Sequence, residues 1–493
     1  MPVATVPPFQ FPQPTIPNNI NQVPEPIETQ NLPGDPPSYD AVAGSPSTVS
    51  QISPVLPSFS SQDASAALTL SRSLMTAVNN KADPDEICRL ILEVVRLAKD
   101  ENMARRLVDA GVIPHLTIEL KNSLPNGQGI NNIIFALGLL SFRHDLLSAA
   151  SIVRPGTARQ LIEISKGAQT GPMRACLAWC LGRMIQSDDI AAKFIEEGLS
   201  ELLISWITVS DDRNTQRYCA WTLGTLARTD ALVDQLVEME AIPVLASHLN
   251  IISNPQTQPD PEDLAVALFA VGRFARTTKL SKALAAEGSV EPMVQALKTT
   301  IDPKVLNWSA RAVGCHMRPN SSDMARVLLR AGAAEGLARL PTVVQAEETD
   351  ALGSFAFAIA RFSCAEWSPG TRKQLVEAGV VDALLRALRA AASVPATDPQ
   401  VHAELALAIS FLGDVGGSSI RKEIQDSGGV DILKQLSIQE PPDVRKACET
   451  AIRSTTGNVF SRLGASTKAG LNHDWRGGCP EYPVAHPDFD AWT

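Results

Sequence analysis

The chain has 493 residues, with 43 Lys and Arg against 53 Asp and Glu and a net charge of −10. That balance argues against nucleic acid as a partner, because non-specific binding draws most of its energy from neutralising phosphates. Hydrophobic residues make up 44% and charged residues 19%, enough for a core, while no run approaches the roughly 20 apolar residues of a spanning helix.

Eight cysteines are scattered singly through apolar stretches, apart from Cys176 and Cys180 one helical turn apart. This is the usage of reduced core thiols, not of a disulfide or zinc framework, and it predicts a cytoplasmic location with the nucleus as a second one. The N-terminal "MPVATVPPFQF" has neither the basic start nor the apolar stretch of a secretory signal, and Pro2 stands where myristoylation needs Gly. No membrane anchor is expected.

Residues 1–60 hold 14 of the 35 prolines, four acidic residues and no lysine or arginine. Such a segment cannot bury enough surface to offset its ordering entropy, so a disordered tail of polyproline II character is predicted. Within it, Pro36, Pro37, Ser38 and Tyr39 resemble the PPxY ligand of WW domains, in which the prolines dock on an aromatic groove and the tyrosine fills a second pocket. Domains of this type are common in ubiquitin ligases, so the resemblance implies a WW-domain partner, ligases among them. Ser45-Pro46 and Ser53-Pro54 are candidate proline-directed phosphosites.

From Ser61 to about Gly457 the composition turns to Ala, Leu, Val and Ile at helical spacing. A phrase recurs: "LVDAGVIPHL" from Leu107, "FIEEGLSELL" from Phe194, "LVEMEAIPVL" from Leu236 and "LVEAGVVDAL" from Leu375. With Gly111 as origin, equivalent positions fall at Gly156, Gly198, Glu240, Gly288, Gly332, Gly379 and Gly428, in steps of 45, 42, 42, 48, 44, 47 and 49 residues. Four residues before each and five after each the side chain is apolar in all sixteen cases, from Leu107 and Leu116 to Ile424 and Leu433. A period in the forties without strand alternation indicates stacked helical units. The glycine supplies the left-handed conformation that ends a short first helix, and Pro114 and Pro243 suit the start of a second. A third helix follows in each unit and carries small residues inside it: Gly138, Gly182, Gly224, Gly272, Gly314 and Ala360.

This three-helix grammar, with Gly, Ile-Pro and a Trp-x-x-Gly third helix, resembles the armadillo repeat family over about residues 84–456. The resemblance implies an all-α, right-handed superhelical solenoid spanning 61–456, with a capping helix, a partial repeat and about eight further repeats. It also implies a concave face built from third helices. Armadillo proteins that clamp peptides carry Trp followed four residues later by Asn on that face. Here the aromatic position holds Phe135, Trp179, Trp221, Phe269 and Phe357, but the Asn position holds Leu139, Arg183, Thr225, Arg273 and Arg361. Import-style recognition of basic peptides is therefore not expected.

Instead, Arg183, Arg273 and Arg361, with Arg228 and Arg276 one turn further on, form a possible arginine row beside aromatic rings. Such a groove suits acidic or phosphorylated segments through forked hydrogen bonds and stacking. The alternative is that these arginines pair with carboxylates of the adjacent unit.

Residues 457–493 return to Gly, Pro and His, with Trp475, Tyr482, Phe489 and Trp492 among them. This aromatic tail is expected to dock, either on the last repeat or, through Asp488 and Asp490, on the arginine row. No P-loop, dinucleotide fingerprint, zinc-protease helix, kinase loop or nucleophile elbow occurs, so neither catalysis nor a cofactor is expected. The leading expectation is a non-enzymatic scaffold that holds a partner segment in its groove. The second is a small-GTPase regulator, by resemblance to the all-armadillo guanine-nucleotide dissociation stimulators, whose GTPase would bring a basic tail to an acidic surface.

Overall fold

The computed structural model describes residues 61–123, 129–141, 157–168, 170–254, 256, 260–318, 321–365, 369–395 and 397–457, all within one compact unit, Phe59–Thr493. The Pro36-Pro37-Ser38-Tyr39 motif, Ile152, Gly156 and the aromatic tail beyond Gly457 lie outside the described residues. Among those residues there are 25 helices and no strand.

Two helices open the array, α1 (Ser61–Asn79) and α2 (Pro84–Ala98). Three units follow: α3 (Glu101–Asp109), α4 (Val112–Asn122) and α5 (Ile130–Leu140); then α6 (Thr157–Lys166) and α7 (Gly171–Met184); then α8 (Asp188–Glu196), α9 (Leu199–Val209) and α10 (Arg213–Leu226). The fourth and fifth are α11 (Asp230–Glu238), α12 (Ala241–Ile252) and α13 (Pro261–Phe274), and α14 (Thr278–Ala286), α15 (Val290–Thr299) and α16 (Pro303–His316). The last three are α17 (Ser322–Arg330), α18 (Ala333–Val343) and α19 (Thr349–Ala365); α20 (Pro369–Glu377), α21 (Val380–Ser393) and α22 (Pro399–Val415); and α23 (Gly417–Asp426), α24 (Gly429–Gln439) and α25 (Pro442–Thr456). The chain is an all-α solenoid of armadillo type.

Each helix class starts by its own rule. Five first helices are capped by a short polar side chain that accepts the amide three residues on: Asp100 from Met103, Ser187 from Ile190, Thr229 from Leu232, Thr277 from Leu280 and Ser321 from Met324. This satisfies one of the amides that a helix leaves without a partner. Three third helices pair an aspartate cap with proline in the first turn, at Asp260-Pro261, Asp302-Pro303 and Asp398-Pro399, and proline there forfeits no internal bond.

Second helices start differently, from a left-handed residue that also ends the first helix. Gly111, Gly198, Gly288, Gly332, Gly379 and Gly428 have φ between 79° and 95°, as the glycine spacing predicts. In the fourth unit the same place is filled by Glu240 at φ 63°. A side chain costs about 1–2 kcal/mol in that region. The apolar residues flanking the junctions form the core: fifteen of the sixteen are described, and each is at most 1% exposed.

Neighbouring third helices approach closely where a glycine receives a side chain from the next. A Cβ on Gly182 would lie 2.3 Å from the Trp221 ring, one on Gly224 2.7 Å from Phe269, and one on Gly314 2.5 Å from Phe357; Gly138 faces Cys180 at 2.8 Å. Cys180 is thus a spacer of this kind, and at the buried Cys219 burial pushes the thiol well above its ordinary pKa, which leaves it protonated and inert.

Two substitutions test these packing rules. Glu240→Gly relieves the strained junction and should stabilise the protein by about 1 kcal/mol in a urea melt. Gly182→Ala should destabilise it: the gain of roughly 1 kcal/mol in helix propensity is outweighed by overpacking of about 1–3 kcal/mol against Trp221.

Candidate binding face on the third helices

The third helices α5, α7, α10, α13, α16, α19, α22 and α25 pack on one another in chain order. Arg183, Arg273 and Arg361 occupy equivalent positions on α7, α13 and α19, three alternate helices of this stack.

The aromatic members of the expected groove do not face a ligand. Trp179, Phe269 and Phe357 are 1% exposed and Trp221 6%, which corrects their assignment as open stacking surfaces. Their place is between helices: Trp221, Phe269 and Phe357 sit on the glycines of the preceding third helix, and Phe135 and Trp179 meet at 5.4 Å between ring centroids.

The arginines divide into two sets. Arg228 donates from Nε to Asp188 at 2.8 Å, and Arg276 to Asp230 at 2.6 Å. Each pair joins the second residue past a third helix to the first turn of the first helix of the same unit. The pairing alternative thus holds for these two, within a unit instead of between units. The other set stays with the rings: the guanidinium of Arg183 lies 5.7 Å from the Trp179 ring and that of Arg361 5.3 Å from Phe357. Arg273 is buried and donates from Nε to the Gly224 carbonyl of the preceding third helix at 3.1 Å.

The fifth unit breaks the pattern. In α16 the residue three before the glycine is Arg311, where Trp179, Trp221 and Phe269 stand in α7, α10 and α13. The Arg311 guanidinium lies 4.5 Å from the Phe357 ring, donates to Ser354 Oγ at 3.1 Å and pairs with Glu404 at 3.1 Å. Ser354 in turn bonds Asn307. One side chain thereby ties α16 to α19 and α22. Arg318 adds a third guanidinium, 5.9 Å from Phe357. Arg311, Arg318 and Arg361 are 9%, 8% and 6% exposed, so three cations converge on a single buried ring. Cation–π attraction is stronger in such a desolvated setting.

At the opposite ends of the third helices, polar side chains bond across neighbouring units. The buried Asp263 of α13 accepts from both Arg213 and Arg217 of α10, Lys304 pairs with Glu262 at 2.8 Å, and His402 meets Glu440 at 3.0 Å. Arg311, Arg318, Glu404 and Asp263 were missed by the sequence reading. Arg311 alone had a visible signal, its place three residues before Gly314.

Among the described residues no group of three or more His, Cys, Asp and Glu could hold a metal ion. No helix there is long and apolar enough to cross a membrane.

No protein-family model matches the chain, and no curated protein matches it either. Among solved structures, an engineered protein is similar over 83% of this chain and 92% of its own, with 22% identity and a TM-score of 0.59. That likeness shows the fold. A designed armadillo repeat protein aligns with 52% of this chain and 99% of its own at 17% identity and a TM-score of 0.43. Another, in complex with a (KR)4 peptide, aligns over the same shares at 18% identity and a TM-score of 0.42. At those scores the last two carry no argument about function.

Two histidines make stability depend on pH. Burial lowers the pKa of His316 in α16 to about 4, against the raising effect of its bond to the Ala312 carbonyl, and lowers His248 in α12 to about 4 despite Asp263 nearby. An unfolded histidine titrates near 6.5, so below that pH the unfolded chain takes up protons first. The stabilisation is present above about pH 6.5 and is lost as pH falls toward 4, on the order of 3 kcal/mol for each ring. Thermal melts at pH 7 and pH 5 should show this fall, and His316→Gln should reduce the difference between them.

Proposed function

We propose that the third-helix row is a protein-binding face for extended acidic or phosphorylated segments, and that the chain is a non-catalytic scaffold acting in the cytoplasm, with the nucleus as a second location. The observation that carries this reading is the part-exposed Arg183 beside Trp179, with Arg273 and Arg361 at equivalent third-helix positions and the buried Arg311, Arg318 and Arg361 around Phe357 adding positive charge behind the surface. Guanidinium forks match carboxylate and phosphate oxygens, and a stacked guanidinium is already oriented for them. One exposed ion pair contributes only about 0.2–1 kcal/mol, while a micromolar complex needs about 8 kcal/mol. The partner must therefore cross several repeats and engage several arginines at once. In the same reading, Pro36, Pro37 and Tyr39 recruit a WW-domain protein, a ubiquitin ligase among the candidates, to the N-terminal segment.

Fluorescence anisotropy with a labelled Glu-rich peptide carrying one phosphoserine tests the groove. The full chain should bind it, with affinity falling as salt rises, and the triple variant Arg183→Gln, Arg273→Gln, Arg361→Gln should bind at least tenfold more weakly while keeping its helical circular dichroism. Tighter binding of a Lys-rich peptide of equal length would overturn the reading. The WW arm is separate: Tyr39→Ala should abolish binding to an isolated PPxY-specific WW domain and leave the anisotropy unchanged.

A further inference from the structure

We infer that the edge built from the connections between second and third helices is a docking surface for a basic amphipathic helix of a partner protein. This edge lies at the N-terminal ends of the third helices, whereas Arg183, Arg273 and Arg361 stand toward their C-terminal ends.

Three observations meet there. The first is exposed aliphatic surface. Among the described residues the four most exposed large hydrophobic side chains are Ile438, Ile301, Ile251 and Val209, at 79%, 74%, 65% and 63%, against 46% for the next, Leu68. Single exposed aliphatics are ordinary on a protein surface. These four share one structural position, within two residues of the C-terminal end of a second helix.

The second is adjacency. Arg213 at the start of α10 reaches Asp263 of α13 at 2.6 Å, and Lys304 of α16 reaches Glu262 of α13 at 2.8 Å. The connections of the third, fourth and fifth units are thereby tied side by side, and Val209, Ile251 and Ile301 belong to them in that order.

The third is charge. From the last residue of each second helix to the second residue of the following third helix, the third to eighth units hold eleven acidic residues and two basic ones, Arg213 and Lys304. Both cations are already paired. Asp212, Asp260, Asp302 and Asp398 cap their helices. Asp211, Glu347, Glu348, Asp350 and Asp443 are exposed and form no ion pair among the described residues. Aliphatic side chains set among carboxylates repel an anionic membrane and a second copy of the same edge, and they attract a cationic partner that has apolar side chains of its own.

The spacing selects the partner's conformation. Packed helices lie about 8–10 Å apart. An α-helix rises about 10.5 Å in seven residues and returns to nearly the same face, whereas an extended strand repeats a face about every 7 Å. A helix with an apolar residue at every seventh position therefore meets Val209, Ile251 and Ile301 in turn, and lysines or arginines beside those positions meet the carboxylates.

Fluorescence anisotropy with the full chain tests this, using a labelled helical peptide of Lys and Ala with leucine at every seventh position over three heptads. Binding should weaken as salt rises. Val209→Ser with Ile251→Ser and Ile301→Ser should lower the affinity at least tenfold and, because these side chains are exposed, keep the helical circular dichroism. Asp211→Asn with Glu347→Gln and Glu348→Gln should lower it at least threefold. Full affinity in the serine variant, or equal binding of a peptide with its leucines scrambled, overturns the inference, since charge alone then explains the attraction. Sedimentation without peptide is the second measurement: a dimer that the serine variant dissolves assigns the edge to another copy of the chain and overturns it too, as does flotation with phosphatidylserine vesicles that the same variant loses. The phosphoserine peptide should bind the serine variant and the unaltered chain alike, so failure at this edge leaves the groove reading standing, and failure of the groove leaves this edge standing.

Discussion

The seating of one aromatic side chain on the glycine of the preceding third helix is the contact on which the rest of the molecule depends. A glycine inside a helix costs about 1 kcal/mol relative to alanine, and the chain accepts that cost at Gly182, Gly224 and Gly314 so that Trp221, Phe269 and Phe357 can close the gap between units. Burying a large ring returns more than the glycine loses. This contact also allocates the chemistry. With the rings taken up by spacing, the side chains one turn further along are arginines in three of the units.

The fifth unit shows what happens when the spacer is replaced. Arg311 occupies the ring's position and carries a charge into the interior of the row, where it needs Glu404, two units away, and Ser354 between them. Removing one partner of a buried pair is far more costly than the pair is worth as an attraction. The three units are thereby locked in register, and the rings and guanidinium groups around Phe357 keep their geometry. Under the proposed function, this arrangement is organised before a ligand arrives, which lowers the ordering cost of binding.

The architecture was legible in the sequence because it repeats locally. The glycine at each junction and the apolar residues four before and five after it answer to short-range rules, and every described one lies where those rules put it. The site was legible only in part. Arg183, Arg273 and Arg361 were identified as equivalent, but whether a ring at Trp179 or Phe357 faces outward depends on the register between units, which no single unit encodes. The partners of Arg311 and Asp263 lie 93 and about 50 residues away along the chain. Such pairings arise from stacking, and periodicity within one unit is silent about them.

Glu240 gives the array one joint unlike the others. Where six described junctions turn on glycine without strain, this one holds a carboxylate-bearing residue in the left-handed region. In a stack whose units are stabilised by their neighbours, cooperativity is only as strong as its poorest interface. The turn between α11 and α12 is thus the junction at which backbone strain lowers the cost of local opening inside the fourth unit.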